Sequence, residues 1–200
     1  MNSNISTSFK LFDQDIKVFI TKDPQILKQF YTLRENSYRN ENGWINYDGQ
    51  ENEFDRNSDI IVATNPNNEV VCGVRIMFED SYHQFYCETP NTKFQYRKYL
   101  EYKKETVPKG SIAEFSSFVV SKNYRITIFF CKFAEIIVNF TKSKNAKIIF
   151  IISTQKHCRL YKIMYGKINY KAIIDKSFPW KREKKYSNVE TFLIYLKFQN

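Results

Sequence analysis

Glycine and proline are scarce, with five of each in 200 residues, which excludes collagen-like and low-complexity chains. The four cysteines, Cys72, Cys87, Cys131 and Cys158, show no C-x-x-C spacing. Cys72 and Cys131 lie among apolar neighbours, where a buried thiol is the ordinary role. The two histidines, His83 and His157, are far apart, and no Cys/His spacing suggests a metal site. No apolar run approaches the roughly 18–20 residues that a membrane span needs. The richest, Ile148 to Ile152, has the length of a buried strand. The first residues, MNSNISTSFKLF, lack the basic start and apolar run of a secretory signal. No nucleophile elbow of a serine hydrolase occurs. These absences lead us to expect a soluble protein of a reducing cytoplasm.

What the chain does have is aromatic and basic. Eighteen Phe and 14 Tyr, within a hydrophobic content of 42%, support a packed core. The length suits a single domain spanning residues 1–200. Lys and Arg number 31 against 21 Asp and Glu, a net charge of +10. Such a surplus nominates acidic partners without choosing among nucleic acid, anionic membrane and acidic protein. The densest charge run, Lys181-Arg182-Glu183-Lys184-Lys185, lacks aromatics at the spacing of a nucleic-acid face, so nucleic acid is disfavoured.

The pattern predicts a strand at Ile16–Ile20, then an N-cap at Asp23 with Pro24 in the first turn of a helix running to about Arg39. Asn42-Gly43 ends it. After an irregular acidic stretch, Trp44 to Asp59, residues 59–64 and 69–78 flank the turn Asn65-Pro66-Asn67-Asn68 as a β-hairpin. On its second strand Val71, Gly73, Arg75 and Met77 share a face, and the glycine marks a surface that something approaches closely. Residues 79–109 show no clear period and read as a lid, or as a helix with loops. Ile112–Val120 reads as a strand, and Ile126, Phe129, Phe133, Ile137 and Phe140 mark an amphipathic helix. Lys147–Ser153 has the apolar continuity of a central parallel strand. A short helix over 155–165 and strands at 168–175 and 189–198 close the chain. The strand–helix–strand crossover over 112–153 implies one parallel pair in an otherwise antiparallel sheet.

This element order resembles the α/β fold of the GCN5-related N-acetyltransferases, a mixed sheet flanked by helices. In that fold the parallel pair splays to admit an acyl-carrying pantetheine arm. Leu33 to Asp55, LRENSYRNENGWINYDGQENEFD, is more specific. It resembles the N-terminal signature of acyl-homoserine-lactone synthases, the autoinducer synthases of quorum sensing. The matching residues are Arg34, Tyr38, Trp44, Asp48-Gly49, and the acid-aromatic-acid cluster of Glu51, Glu53, Phe54 and Asp55. The resemblance continues in VVCGVRIMF with Arg75, and in VPKGSIAEFSSFVVSKNYR with Glu114 and Phe118.

It implies an N-acyltransferase with no tightly bound cofactor and no metal. The acyl group would come from acyl carrier protein, or CoA, and pass to the amine of S-adenosylmethionine. Arg34, Tyr38, Trp44, Glu53, Asp55, Arg75 and Phe118 would then bind substrate. Arg34 and Tyr38 lie one helical turn apart and can meet the same loop. The acids suit a cationic group, with Arg34 or Arg75 pairing with them or with a substrate carboxylate. The bland alternative is an exposed acidic loop tied down by two arginines.

Glu114, mid-strand between apolar neighbours, reads either as a general base or as a structural glutamate bonded to backbone or to Arg75. Alternation places Ile112, Glu114, Ser116 and Phe118 on one face. Two departures from the family pattern stand out. Ser117 replaces the arginine before the phenylalanine, and Glu53 and Asp55 sit one residue closer than the family's pair of acids. An N-acyl amino acid synthase, or a relative acylating another amine, therefore stays open, as does a non-catalytic basic binding protein. Lys122 to Ile128 has no glycine where CoA-dependent relatives hold the pyrophosphate. This favours an acidic carrier protein as donor, steered in by the basic surface.

Overall fold

A computed structural model describes residues 5–41, 43–80, 83–88, 95–175 and 191–198. In chain order the elements are β1 (Ser6–Leu11), β2 (Gln14–Ile20), α1 (Pro24–Asn36), α2 (Glu53–Arg56), β3 (Asp59–Thr64), β4 (Val70–Phe78), α3 (Tyr96–Tyr102), β5 (Ile112–Val120), α4 (Thr127–Ser143), β6 (Ile148–Thr154), α5 (Gln155–Lys167), β7 (Ala172–Asp175) and β8 (Thr191–Lys197). The charge run at 181–185, Asn42 and the first two residues of the expected closing strand lie outside the described residues. Among those described, no helix is long and apolar enough to cross a membrane.

The chain forms two compact units, Met1–Ile76 with Ser117–Ser143, and Met77–Ser116 with Lys144–Asn200. In the first, β1 to β4 pair antiparallel in sequence order. The Ser121 N–H donates to the Val71 carbonyl at 2.8 Å, which ties the end of β5 to β4. The Asp23 carboxylate caps α1 through the Gln25 and Ile26 N–H groups at 2.7 and 3.2 Å, with Pro24 in the first turn. Ile26, Phe30 and Arg34 recur every four residues along α1 and are its buried face. The first two pack with Ile60, Val62, Val70 and Val119. Gly73 permits this close fit, because a Cβ there would stand 2.4 Å from the Phe30 ring. The surface that the glycine marked is thus the seat of Phe30. On α4, Phe129 and Phe133 stack on each other, and Phe118 lies against Phe130 and Phe133.

In the second unit β5 and β6 run parallel, from Ile112↔Ile148 to Phe115↔Ile151, while β8 pairs antiparallel with both β6 and β7. The Glu79 N–H donates to the Ile112 carbonyl at 2.9 Å, joining the end of β4 to the start of β5. Phe150 centres the core, stacked on Tyr96 and met edge-on by Tyr99. The architecture is the mixed α/β arrangement that the element order implied, with one parallel pair.

Three expectations need correction. The sequence pattern does not announce the first strand, β1, because STSFKL presents mostly exposed residues along the sheet edge. Helix α1 ends at Asn36 and gives way to a π-helical turn, Ser37–Glu41, instead of running on to Arg39. Ser117 adopts φ 54° within β5. That left-handed residue interrupts the pleat, so strict alternation does not carry from Glu114 to Phe118.

Candidate functional site

Arg34 ends the buried stripe of α1 with a charge where an apolar residue would continue it. Its guanidinium is fully buried and doubly bonded to the Asp55 carboxylate, Nη1 to Oδ1 at 2.8 Å and Nη2 to Oδ2 at 2.9 Å. Nη2 also donates to the carbonyls of Gly49 and Gln50, at 3.1 and 2.8 Å. One side chain on a rigid helix therefore fixes both ends of the 49–55 loop. Gly49 makes this possible sterically, since a Cβ would come within 2.4 Å of the Tyr31 carbonyl oxygen.

Asp55 is placed by a reciprocal cap. Asn52 accepts from the Asp55 N–H at 3.1 Å, and the Asp55 carboxylate accepts from the Asn52 N–H at 3.0 Å. The signature Asn52-x-x-Asp55 was legible in the sequence, yet the segment read as irregular. Arg75 reaches the same carboxylate from β4 at 3.1 Å, and Asn52 Oδ1 at 3.2 Å, with Phe54 beneath its guanidinium. Burial alone would raise the Asp55 carboxyl. The Arg34 hydrogen bonds and charge, then the Arg75 charge and the Asn52 N–H, reverse that and hold it below its ordinary value. Burial also opposes the Arg34 charge, but its bonds to Asp55 outweigh this and hold it firmly protonated.

Tyr38, on the π-helical turn, meets Trp44 with ring centroids 4.8 Å apart and Tyr47 edge-on at 4.7 Å. Sequence reasoning had not singled out Tyr47. The turn is closed by the Trp44 N–H donating to the Tyr38 carbonyl at 3.0 Å and the Tyr47 N–H to the Trp44 carbonyl at 2.8 Å. Tyr31, alongside Arg34, has its phenol pushed up to about 12, first by burial, then by the charges of Asp55 and Glu51.

The acidic stretch divides. Asp55 turns inward, while Glu51 and Glu53 are exposed, with Glu51 pairing loosely with Arg56 at 3.5 Å. Glu53 occupies the first turn of α2, where a carboxylate favours the helix N-terminus. Phe118 packs on the α4 aromatics.

In the second unit Glu114 is fully buried on β5. Its Oε2 accepts from the Cys87 N–H at 3.0 Å and from the Tyr96 hydroxyl at 2.9 Å. The bond to backbone expected of a structural glutamate is present, and Tyr96 is a partner that no sequence signal announces. The four cysteines are free thiols, and no metal-binding group of His, Cys, Asp and Glu occurs among the described residues.

No protein-family model matches this chain, and no curated protein matches it. Solved structures do match in fold. The AHL synthase LasI superposes with a TM-score of 0.63 at 12% identity, over 96% of this chain and 90% of that one. BjaI, a CoA-dependent acyl-homoserine lactone synthase solved with SAM and isopentyl-CoA, gives 0.60 at 15%, over 88% and 77%. FeeM, an N-acyl amino acid synthase from uncultured soil microbes, gives 0.58 at 9%, over 94% and 91%. An acetyltransferase of the GNAT family from Staphylococcus aureus Mu50 also matches. The fold is therefore that of the GCN5-related acyltransferase class. Within it, the chain is similar in fold to acyl-homoserine-lactone synthases, the family that its sequence stretches resemble.

Proposed function

We propose that this protein is an N-acyltransferase that moves an acyl group from a pantetheine thioester to a primary amine. One observation carries the reading. Arg34 and Asp55 stand at the two ends of one stretch that resembles the autoinducer synthases, Arg75 comes from a second, and the three meet in one buried network. A decorative surface would not require two buried guanidiniums on one carboxylate, an arrangement that is costly unless it fixes something. What it fixes is the 49–55 loop, and we assign the cationic end of the acceptor to the half-buried aromatic group in which Tyr38 packs on Trp44 and Tyr47.

In this reading the amine nitrogen attacks the thioester carbonyl carbon, the C–S bond breaks, and the pantetheine thiol leaves. Glu114, directly or through a water, takes the proton that the amine nitrogen loses. The preferred donor is acyl carrier protein, for the lack of glycine between Lys122 and Ile128 and the net charge of +10. CoA is the alternative donor, and BjaI is a precedent of the same fold. The preferred acceptor is S-adenosylmethionine. Its acylated form would close a lactone by attack of its carboxylate oxygen on the carbon bonded to sulfur, releasing methylthioadenosine. Arg34, Asp55 and Arg75 order the acceptor loop, Tyr38 and Trp44 face the acceptor, Glu53 adds negative charge nearby, and Phe118 supports the strand.

A second reading is acylation of a different amine, such as an amino acid. Ser117, where the family has arginine, favours it, and the fold likeness to FeeM is compatible with it. Mass spectrometry of lipid-soluble products from expressing cells tests both. An N-acyl homoserine lactone supports the first reading and an N-acyl amino acid the second. The absence of any N-acyl product above the Glu114→Ala background overturns both.

A further inference from the structure

Glu114 raises a question that its own strand does not answer. A fully buried carboxylate is expensive to desolvate, and an apolar residue would hold β5 without that cost. The Tyr96 hydroxyl and the Cys87 N–H both donate to Oε2. Tyr96 is itself locked. Its ring stacks on Phe150 with centroids 4.2 Å apart and planes 11° from parallel, and it meets Phe85 edge-on at 5.2 Å. Phe150 is the residue opposite Glu114 in the parallel β5–β6 register. The Tyr96 N–H is held in turn by Glu88. Phenylalanine would fill the same stack, so the hydroxyl is the part of Tyr96 that packing does not explain.

We infer that Tyr96 is the positioning residue for Glu114, holding its carboxylate in one orientation and setting its proton affinity for the acyl-transfer step. This rests on the N-acyltransferase reading above. Burial, followed by the neighbouring Cys87 and Glu114, pushes the Tyr96 phenol well above its ordinary value. It therefore stays protonated, and a donor, at working pH. Among the described residues, the other titratable groups around the carboxylate include Cys87 and Glu88, with Glu79 and Arg97 beyond Glu88. A donor removed from a carboxylate raises its proton affinity, because the charged form loses the bond.

The test compares wild type with Tyr96→Phe, which keeps the stack on Phe150, and with 3-fluorotyrosine at position 96, a stronger donor. Two quantities are followed against pH. One is the infrared carboxyl band assigned to Glu114 by its loss in Glu114→Gln, which needs no substrate. The other is the acidic limb of kcat for amide formation. Tyr96→Phe is expected to move both midpoints upward together, by roughly tenfold in proton affinity, while the amine KM changes little. Fluorotyrosine is expected to move both downward. A folded Tyr96→Phe protein in which neither midpoint moves overturns the inference. So does a band that shifts while the kcat limb stays fixed, since the carboxylate is then a structural strut. A wild type that forms no amide with any donor and amine overturns the acyltransferase reading itself, and the band shift then reports only a structural bond.

Discussion

Arg34 and Asp55, twenty-one residues apart, face each other through two nearly equal hydrogen bonds of 2.8 and 2.9 Å, both side chains sealed from solvent. The geometry is the planar, bidentate fit that arginine makes and lysine cannot. Arg75 shares Oδ1 of the same carboxylate. Two buried guanidiniums thus converge on Asp55, and its removal takes away the negative charge that they share.

Asp55→Asn is accordingly expected to destabilise the protein by about 3–5 kcal/mol, the range for stripping one partner from a buried pair. Urea unfolding at neutral pH measures this. Asp55 is held below its ordinary value of 3.8 in the folded state. Its contribution is therefore fully present above that value and is lost as pH falls through the lower, folded one. Wild type should lose stability as pH falls below about 4, and Asp55→Asn should lose less over the same fall.

Gly73→Ala should cost about 1–3 kcal/mol, as overpacking of a filled core does. The new methyl would stand 2.4 and 2.6 Å from two atoms of the buried Phe30 ring. Phe30→Leu in the same chain should recover part of the loss. Thermal unfolding of the two single variants and the double variant gives the coupling, and strict additivity would contradict the packing described.

Glu88 provides a test of opposite sign. Burial, opposed by the Tyr96 N–H and reinforced by the charges of Glu114 and Glu79, pushes it up from 4.5 to about 7. A carboxyl raised in the folded state contributes stability below its unfolded value and loses it as pH rises through the folded one. Wild type should therefore weaken between about pH 5 and pH 8. Glu88→Gln, which keeps an acceptor for Tyr96, should flatten that slope by about 1–2 kcal/mol after allowance for its partial exposure. Equal slopes in the two proteins would contradict the assigned burial.

Particular residues show where the sequence was informative. Asp23-Pro24, the hairpin around Asn65–Asn68, and the apolar run at 148–152 each carry a local signal strong enough to survive packing. Arg34, Asp55 and Arg75 were legible as a motif, although their meeting at one carboxylate depends on β4 lying beside the loop. Tyr96 was not legible. Nothing local distinguishes it from Tyr99 or Tyr102 in the same helix, and its role arises from the strands it packs on. Ser117 escaped for a related reason, since a single left-handed residue leaves no trace in an apolar alternation. Glu53 looked equivalent to Asp55 on spacing, but the cap at Asn52 turns only Asp55 inward.

N-acyl transfer is put to the test by product balance in vitro. Purified protein is supplied with acyl thioesters of carrier protein or CoA and a panel of primary amines, S-adenosylmethionine and free amino acids among them. Released thiol and amide product are measured together by mass spectrometry. An N-acyltransferase should yield one amide per thiol released for at least one amine, and a folded Glu114→Ala should lose that yield. Thiol release without amide, or no turnover by a folded wild type across the panel, would contradict it.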